Sequence, residues 1–262
     1  MAVYIKILQK DLPKEYQKYN LIPTIDGLSQ SVYLLDKRYV LKVFKTYTKE
    51  EFENEYSLLK LLNNLPIGKI KESFYINNNF SILYNQINGL SLRQIDINHI
   101  KQIAIFLRNM HQITINKYSS NKNLFSKNRL YEMVKETKNN QLLSFFNKIN
   151  ITLKNDGIIH GDLFLDNAKF KNNKLSGVFD FCEACNGDFL FDLAVVAISW
   201  CYDNNTLNMT KVKVLLNAYR SMISYKSFIP YISYALLYYT TSRYLNNRNY
   251  KELLVKLELI FL

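Results

Sequence analysis

The 262-residue sequence predicts an α+β fold in two lobes, a small β-rich N-lobe and a larger helical C-lobe. The chain is longer than one small core usually needs. Nearly half of its residues (48%) are apolar, which indicates a folded protein rather than a disordered one. The hydrophobic period changes from strand-like to helical after a turn-rich segment at 85–89. We expect the N-lobe to occupy residues 1–86 and the C-lobe residues 87–262.

The N-lobe is predicted to contain two hairpins with one helix between them. Thr48 and Glu51 fit a capping box, and the apolar residues that follow at helical spacing predict a helix over 49–63. On either side, runs of β-branched and aromatic residues are separated by short polar turns, which is typical of hairpins. The predicted strands are 31–35, 38–44, 74–76 and 80–84.

The C-lobe is predicted to be mainly helical. Asn98 is the expected N-cap of its first helix, whose apolar residues recur at helical spacing. Short apolar runs bounded by turn residues indicate three strands in the middle of the lobe, and helices continue from there to residue 262. The predicted helices are 97–112, 128–148, 191–202, 210–219, 231–245 and 250–262, and the predicted strands are 157–159, 168–170 and 175–181.

The composition disfavours several classes of protein. Lys and Arg (34) exceed Asp and Glu (22), a formal charge of +12, but the lysines are spread singly along the chain. This pattern disfavours nucleic-acid binding and suits anionic small ligands such as nucleotides. Three cysteines fit a reducing cytoplasm, the first eight residues lack a signal-peptide pattern, and the longest apolar stretch is about half a membrane span. We expect a cytoplasmic protein without a membrane or nucleic-acid partner, and the oligomeric state stays open.

One segment carries the groups that phosphoryl transfer needs. Asp162 follows a short apolar strand, Asn167 comes five residues later, and Asp180 ends another apolar run. A carboxylate can accept the proton of an acceptor hydroxyl, and an amide with a second carboxylate can bind Mg²⁺. The spacing of Asp162 and Asn167 is that of the protein-kinase catalytic loop. Each residue alone could simply form a turn, but together, with His160 two residues before Asp162, they favour a catalytic site.

Other residues of the N-lobe suit a nucleotide site. Lys42 lies between two apolar neighbours on one strand face, although an edge lysine that discourages aggregation would give the same pattern. Glu55 borders the apolar stripe of the predicted helix and is the expected partner of Lys42. The turn that contains Gly27, Ser29 and Ser31 could cover the phosphates through backbone N–H groups, and ordinary turn chemistry explains it equally well.

Cys182 and Cys185 have the spacing of a zinc or redox motif. The chain has only one further cysteine and no nearby histidine, so a zinc site would lack ligands. A redox motif would need a thioredoxin-like context, which the predicted elements do not provide. We therefore expect neither role.

Longer motifs connect these candidate residues. They are His-Gly-Asp-Leu-Phe-Leu-Asp-Asn at 160–167, Leu-Ser-Gly-Val-Phe-Asp-Phe-Cys-Glu-Ala-Cys-Asn-Gly at 175–187 and Asp-Leu-Ala at 192–194. With them the chain resembles the aminoglycoside phosphotransferase/choline kinase superfamily, and within it the homoserine kinases of that fold. The resemblance extends over nearly the whole chain and is dense over 157–203. Gly161 and Leu165 depart from it, because Ala and Pro are commoner there.

The resemblance implies a protein-kinase-like fold with ATP and Mg²⁺ bound between the lobes. It also implies transfer of the γ-phosphoryl group to the hydroxyl of a small molecule. The roles that it implies are Asp162 as catalytic base, Asn167 and Asp180 as metal ligands, Lys42 and Glu55 as the phosphate-binding lysine and its partner, His160 and Asp192 as braces of the catalytic loop, and Tyr84, Gln86 and Ile87 as the hinge that holds adenine.

The acceptor is predicted from charge. An aminoglycoside is a polycation that needs several carboxylates, choline needs aromatic residues or one acid, and homoserine is a zwitterion that needs one acid and one base. Arg243 lies among tyrosines in a predicted helix and could bind a carboxylate, although a surface ion pair would explain it equally well. We expect L-homoserine, with Asp166, Glu183 and Arg243 as candidate contacts. Choline-type and aminoglycoside acceptors, and a non-catalytic nucleotide-binding relative, are the alternatives.

Overall fold

A computed structural model describes residues 5–24 and 30–262 of the chain. The chain divides into two compact units, and the sequence crosses between them three times. Among the described residues, none of the helices combines the length and the hydropathy that crossing a bilayer would require. The units are Met1–Gly89 with Ser176–Cys182, and Leu90–Leu175 with Glu183–Leu262.

The first unit contains a five-stranded antiparallel sheet. Its strands are Leu21–Pro23 (β1), Ser31–Leu35 (β2), Tyr39–Val43 (β3), Ile70–Ile76 (β4) and Asn79–Asn85 (β5). Their order is β1-β2-β3-β5-β4, so the two predicted hairpins lie side by side. The hairpins turn at left-handed residues, Asp36 and Lys37 in one and Asn77 and Asn78 in the other. Strand β1 was not predicted, and β4 begins four residues earlier than expected.

Helix α1 (Lys49–Leu61) begins at the predicted capping box. The Thr48 hydroxyl accepts the N–H of Glu51 (3.1 Å), and the Glu51 carboxylate accepts the N–H of Thr48 (2.7 Å). The predicted start of the helix is therefore confirmed, and the helix ends two residues before the expected position. Its buried face includes the charged Glu55 beside Leu58.

The second unit is mostly helical. Its helices are Ile97–Thr114 (α2), Lys127–Glu136 (α3), Asn140–Lys148 (α4), Phe189–Trp200 (α5), Met209–Tyr219 (α6), Tyr225–Leu245 (α7) and Lys251–Ile260 (α8). Its strands are Gly157–Ile159 (β6), Ala168–Lys171 (β7), Lys174–Val178 (β8), Cys185–Gly187 (β9), Tyr202–Asp203 (β10) and Thr206–Leu207 (β11), of which β8 continues into the first unit. Helix α5 is buried over most of its length and packs against α2, α6 and α7.

Several boundaries in this unit differ from the prediction. The helix predicted over 128–148 is two helices, because Lys138 adopts a left-handed backbone (φ 54°) and Asn139 then caps α4. Asp96, not Asn98, is the N-cap of α2, since its carboxylate accepts the N–H of His99 (2.9 Å). Helix α7 begins six residues earlier than expected. The hairpin of β10 and β11 interrupts a region that was predicted to be helical throughout.

Candidate active site

Lys42 and Asp180 form an ion pair within the first unit. Lys42 lies on β3 with only 7% of its surface exposed, and its Nζ is 2.8 Å from Oδ1 of Asp180. Burial lowers the pKa of Lys42, but the carboxylate of Asp180, the neighbouring Cys182 and the carboxylate of Glu55 outweigh it and raise the net pKa above the ordinary value. Lys42 is therefore a permanent cation, and its role is not that of a surface lysine at a sheet edge.

Backbone contacts hold the segment of Asp180 in the first unit. Val178 exchanges two backbone hydrogen bonds with residues 66–68 (2.9 and 2.8 Å). Ile87 packs directly over Gly177, where a Cβ atom would lie 2.8 Å from its Cδ1. Asp180 then adopts a left-handed backbone (φ 70°), and 31% of its side chain stays exposed. The expected assignment of this segment to the C-lobe thus differs from the structure, because these contacts attach it to the first unit.

The predicted ion pair of Lys42 with Glu55 is wrong. Glu55 is 2% exposed, and its carboxylate instead accepts hydrogen bonds from the hydroxyl groups of Tyr47 (2.8 Å) and Tyr84 (2.7 Å). Cys182 donates a third, longer bond to it (3.6 Å). Because these donors already surround its oxygens, Glu55 interacts with Lys42 through charge at a distance rather than by direct contact.

The nucleotide-loop residues are only partly described. Gly27 and Ser29 lie outside the described residues. Ser31 opens β2, is fully buried, and its hydroxyl accepts the N–H of Ile5 (2.8 Å). That contact ties the hydroxyl to the N-terminal segment, and the prediction that backbone N–H groups of this turn cover the phosphates stays a prediction.

The predicted hinge is partly occupied by contacts within the sheet. The N–H of Gln86 donates to the carbonyl of Arg38 (2.9 Å), so this one group is bound within the first unit, and the role of the hinge backbone towards adenine stays a prediction. The hydroxyl of Tyr84 donates a hydrogen bond to the carboxylate of Glu55. The side-chain oxygen of Gln86 is buried without a hydrogen-bond partner among the described residues. Ile87 packs over a glycine, as described above.

The predicted catalytic loop joins β6 to β7 in the second unit. Asn167 is brought against Asp162, since its Nδ2 donates to the Asp162 carboxylate (3.0 Å) and to the Asp162 carbonyl (2.7 Å). Its amide oxygen is therefore the atom that could bind a cation. The N–H of Asp162 donates to Nδ1 of His160 (3.2 Å), so His160 shapes the turn that presents Asp162.

Asp192 on α5 braces this loop. It is fully buried, and its carboxylate accepts the backbone N–H groups of His160 and Gly161, both at 2.7 Å. His111 on α2 gives a further bond through Nε2 (3.0 Å), and Tyr219 contacts its other ring nitrogen (2.8 Å). Burial raises the pKa of Asp192, but the His111 bond, the neighbouring histidines and the Gly161 N–H lower it below its ordinary value. Asp192 is thus an ionised anchor.

Three supports of the loop were missed by the sequence reasoning. His111 lies four residues after Leu107 on the apolar face of α2, and a polar residue on such a face was the signal that could have found it. Ser199 accepts the N–H of Leu165 (3.1 Å), and Trp200 donates to the carbonyl of Leu163 (3.1 Å). Proline, the commoner residue at position 165, has no N–H and could not form the bond to Ser199. Leucine at this position therefore allows the bond.

Gly161 is required by the shape of the loop. Its backbone is left-handed (φ 81°), and a Cβ atom there would lie 2.3 Å from Cε2 of Phe125. Its carbonyl accepts the hydroxyl of Tyr239. Packing against Phe125 therefore explains why this chain has glycine where alanine is commoner.

Gly161→Ala is expected to lower the free energy of unfolding by about 2–4 kcal/mol, because it combines left-handed strain with a clash against Phe125. Urea denaturation of both proteins measures this. Phe125→Leu, which removes the clashing ring atoms, should make the double variant less destabilised than the sum of the single changes. An unchanged free energy in Gly161→Ala would contradict the packing argument.

The three candidate contacts for the acceptor, Asp166, Glu183 and Arg243, all belong to the second unit. Asp166 and Glu183 are exposed. Burial raises the pKa of Tyr239, and the charges of Asp162 and Glu183 raise it further, so both carboxylates lie near that phenol. The Arg243 guanidinium lies 5.7 Å from the ring centre of Phe164. No carboxylate among the described residues pairs with Arg243, so the surface ion pair that would have explained it is not formed.

Four aromatic residues of the second unit, which could in principle surround the quaternary ammonium of choline, belong to the core. All four are at most 9% exposed, and the indole N–H of one of them already binds the catalytic loop. Core packing, the alternative for these rings, therefore agrees with the structure. The four residues are Trp200, Tyr202, Tyr238 and Tyr239.

The oxygen atoms offered by Asn167 and Asp180 suit Mg²⁺. A hard cation of this kind prefers carboxylate and amide oxygens, and it usually takes one or two of them with substrate phosphates and water. Within the described ranges, no group of three or more His, Cys, Asp or Glu could hold a metal ion. The Asn167 amide oxygen and the Asp180 carboxylate are thus each a ligand of the kind that Mg²⁺ accepts, and their role as metal ligands stays a prediction.

Known proteins resemble this chain in sequence. The family model described as APH, phosphotransferase enzyme family, matches residues 21–222. A homoserine kinase of Bradyrhizobium diazoefficiens is 45% identical over 65 residues, which span 24% of this chain and only 20% of that protein. A homoserine kinase of Bartonella tribocorum is 26% identical over 254 residues, covering 85% of this chain and 80% of that protein.

Solved structures resemble the chain over most of its length. The streptomycin–ATP complex of an aminoglycoside phosphotransferase gives a TM-score of 0.64 at 18% identity, covering 93% of this chain and 91% of the other. The choline kinase LicA from Streptococcus pneumoniae gives 0.67 at 14% identity, covering 92% of each chain. At these identities the likeness establishes the fold alone. It confirms the predicted class, an α+β protein-kinase-like fold.

Proposed function

The chain belongs to the phosphotransferase enzyme family, and we propose that it is an ATP-dependent kinase that phosphorylates the hydroxyl of L-homoserine. The observation that carries this proposal is the pair of Asp162 and Asn167 in a loop braced by Asp192. A carboxylate held by an amide and presented on a rigid loop can accept a proton from an alcohol. Asp180 and Lys42 are proposed to act on the nucleotide, Asp180 as a ligand of Mg²⁺ and Lys42 as a phosphate-binding cation.

The nucleotide is assigned to the residues of the first unit. The Lys42 ammonium would bind phosphate oxygens, and its permanent charge and its attachment to Asp180 support this assignment. Asn167 and Asp180 would hold Mg²⁺, which when bound neutralises charge on the β- and γ-phosphates. Tyr84, Gln86 and Ile87 remain the proposed hinge residues.

The transfer step needs one proton acceptor and one nucleophile. Asp162 accepts the proton of the acceptor hydroxyl as that oxygen bonds to the γ-phosphorus of ATP. The bond from the γ-phosphorus to its bridging oxygen breaks, and ADP leaves with the electron pair. Asn167 fixes the carboxylate oxygen of Asp162, while His160 and Asp192 hold the loop in place.

L-Homoserine is proposed as acceptor because it carries one amine, one carboxylate and one primary hydroxyl. Arg243 has no carboxylate partner among the described residues and could bind the substrate carboxylate. Glu183 lies near Tyr239 and could face the amine, as could the exposed Asp166. The names of the curated relatives agree with this acceptor, and one alignment that covers 85% of this chain is at 26% identity.

An aminoglycoside or choline acceptor is the second candidate, and the solved structures that share the fold favour it. The chain opposes both, since few acids follow the catalytic loop closely and the aromatic residues suited to a choline cage are buried in the core. A non-catalytic relative is disfavoured because Asp162, Asn167 and Asp180 are all present.

ADP release is expected to be faster with L-homoserine than with choline or kanamycin, measured in a coupled assay at equal MgATP. Arg243→Ala should raise KM for homoserine about tenfold or more with little change in KM for ATP, because it removes a charge-assisted carboxylate contact. Arg243→Lys keeps the charge but not the planar guanidinium, so its KM for homoserine should lie between those of the unmodified protein and Arg243→Ala. Turnover with choline or kanamycin and none with homoserine would overturn the acceptor while leaving phosphoryl transfer intact.

A further inference from the structure

The Cys182 thiol lies between two charged residues of the first unit that do not contact each other. Its Sγ is 3.8 Å from Nζ of Lys42 and 3.6 Å from Oε2 of Glu55. A carboxylate can only accept a hydrogen bond and an ammonium can only donate one. The thiol therefore donates its proton towards a carboxylate, Glu55 at 3.6 Å with Asp180 as a second acceptor beside it, and receives the Lys42 ammonium at the sulfur.

The position of Glu55 is set independently of the thiol. Tyr47 and Tyr84 bind its two oxygens at 2.8 and 2.7 Å. Burial raises the pKa of both phenols, and the charge of Glu55 raises it further, so both stay protonated and donate. The Lys42 ammonium in turn lies 5.4 Å from the ring centre of Tyr84. Glu55 is thus a rigid anchor, and the thiol is the group that connects it to Lys42.

We propose that Cys182 is a positioning residue that couples Lys42 to Glu55 and so holds the lysine for the nucleotide phosphates. This inference rests on the proposed function, because Lys42 is the phosphate-binding group in it. A direct ion pair is replaced here by a chain of contacts that runs from the two tyrosines through Glu55 and the thiol to Lys42. The other anchor of the lysine is Asp180.

Cys182→Ala is expected to raise the dissociation constant for MgATP about 3- to 10-fold, the effect of losing one modest hydrogen-bonded contact. KM for ATP should rise in parallel, whereas KM for the acceptor should stay unchanged, because the thiol acts on the nucleotide side only. Cys182→Ser keeps a hydrogen-bond donor and acceptor, so its MgATP affinity should lie between those of Cys182→Ala and the unmodified protein. Cys201→Ala is the matched control, since Cys201 is a buried thiol of the second unit, and it should leave MgATP affinity unchanged.

A double-mutant cycle of Cys182→Ala with Glu55→Gln tests the coupling itself. If the thiol acts through Glu55, the loss of MgATP affinity in the double variant should be smaller than the product of the two single losses. Calorimetric titration of MgATP into each purified full-length variant measures this. If Cys182→Ala does not fold, the cycle is made with Cys182→Ser, for which a smaller deviation from additivity in the same direction is expected, because the hydroxyl keeps part of the coupling.

Two results would overturn the inference while the proposed function stands: wild-type MgATP affinity in Cys182→Ala, or full additivity with Glu55→Gln. Failure of the unmodified protein to bind MgATP at all would instead contradict the proposed function, and the inference with it. The titration of the unmodified protein therefore separates the two failures.

Discussion

Asp162→Asn is expected to lower kcat with homoserine by about 10²- to 10⁴-fold and to leave MgATP affinity nearly unchanged. The amide has the shape of the carboxylate, and its oxygen can still accept the hydrogen bond that Asn167 Nδ2 gives to Asp162 at 3.0 Å. It cannot take the proton of the acceptor hydroxyl. Coupled ADP release and calorimetric titration of MgATP measure the two quantities separately.

Asp203→Asn provides the matched control for that change. Asp203 lies on β10 of the same unit, where its exposed carboxylate binds Asn208 and Lys211. The same loss of charge there should leave kcat close to that of the unmodified protein. Near-normal turnover in Asp162→Asn would remove Asp162 from its role as proton acceptor, and a comparable loss in Asp203→Asn would show that the effect is not specific to the loop.

Asp180→Asn is expected to weaken MgATP binding about 100-fold or more, because it removes a proposed magnesium ligand and the ion partner of buried Lys42. Asparagine is preferred to alanine in this test, since it tolerates the left-handed backbone at this position (φ 70°). The difference in ATP affinity between Asp180→Asn and the unmodified protein should be much smaller in excess EDTA. Without the metal, neither protein gains affinity from a bond between residue 180 and Mg²⁺.

Asp36→Asn is the control for this second prediction. Asp36 belongs to the same unit, also has a left-handed backbone (φ 44°), and binds Asn20 at an exposed turn. Its substitution should leave MgATP affinity unchanged. Equal affinity of Asp180→Asn and the unmodified protein, with and without EDTA, would exclude Asp180 as a metal ligand.

The two halves of the site differ in how far the sequence could anticipate them. The spacing of Asp162 and Asn167 predicts their contact, because five residues in a tight loop can return an amide to a carboxylate. The partner of Lys42 is 138 residues away along the chain. Local spacing contains no information on such a contact, and the resemblance named Glu55 instead.

Buried polar residues are where the prediction was weakest. His111 lies on an apolar helix face, and the hydroxyl of Ser199 and the indole of Trp200 lie on a helix that is buried over most of its length. Each is tolerated there because it binds a polar group of the catalytic loop or the carboxylate of Asp192. Hydrophobic periodicity assigns such positions to the core and cannot say which polar group each one meets.

The local structure and the identity of the chemical groups follow directly from the amino-acid sequence. Thr48 with Glu51, the asparagine turn before β5, and the motif at 160–167 act over a few residues, so their consequences follow from spacing and from hydrogen bonds between near neighbours. The pairing of Asp180 with Lys42, in contrast, is known only once the fold is known. The same holds for the contact of Phe125 that requires Gly161. These contacts join distant parts of the chain, and they depend on how the elements pack rather than on the pattern of any one of them.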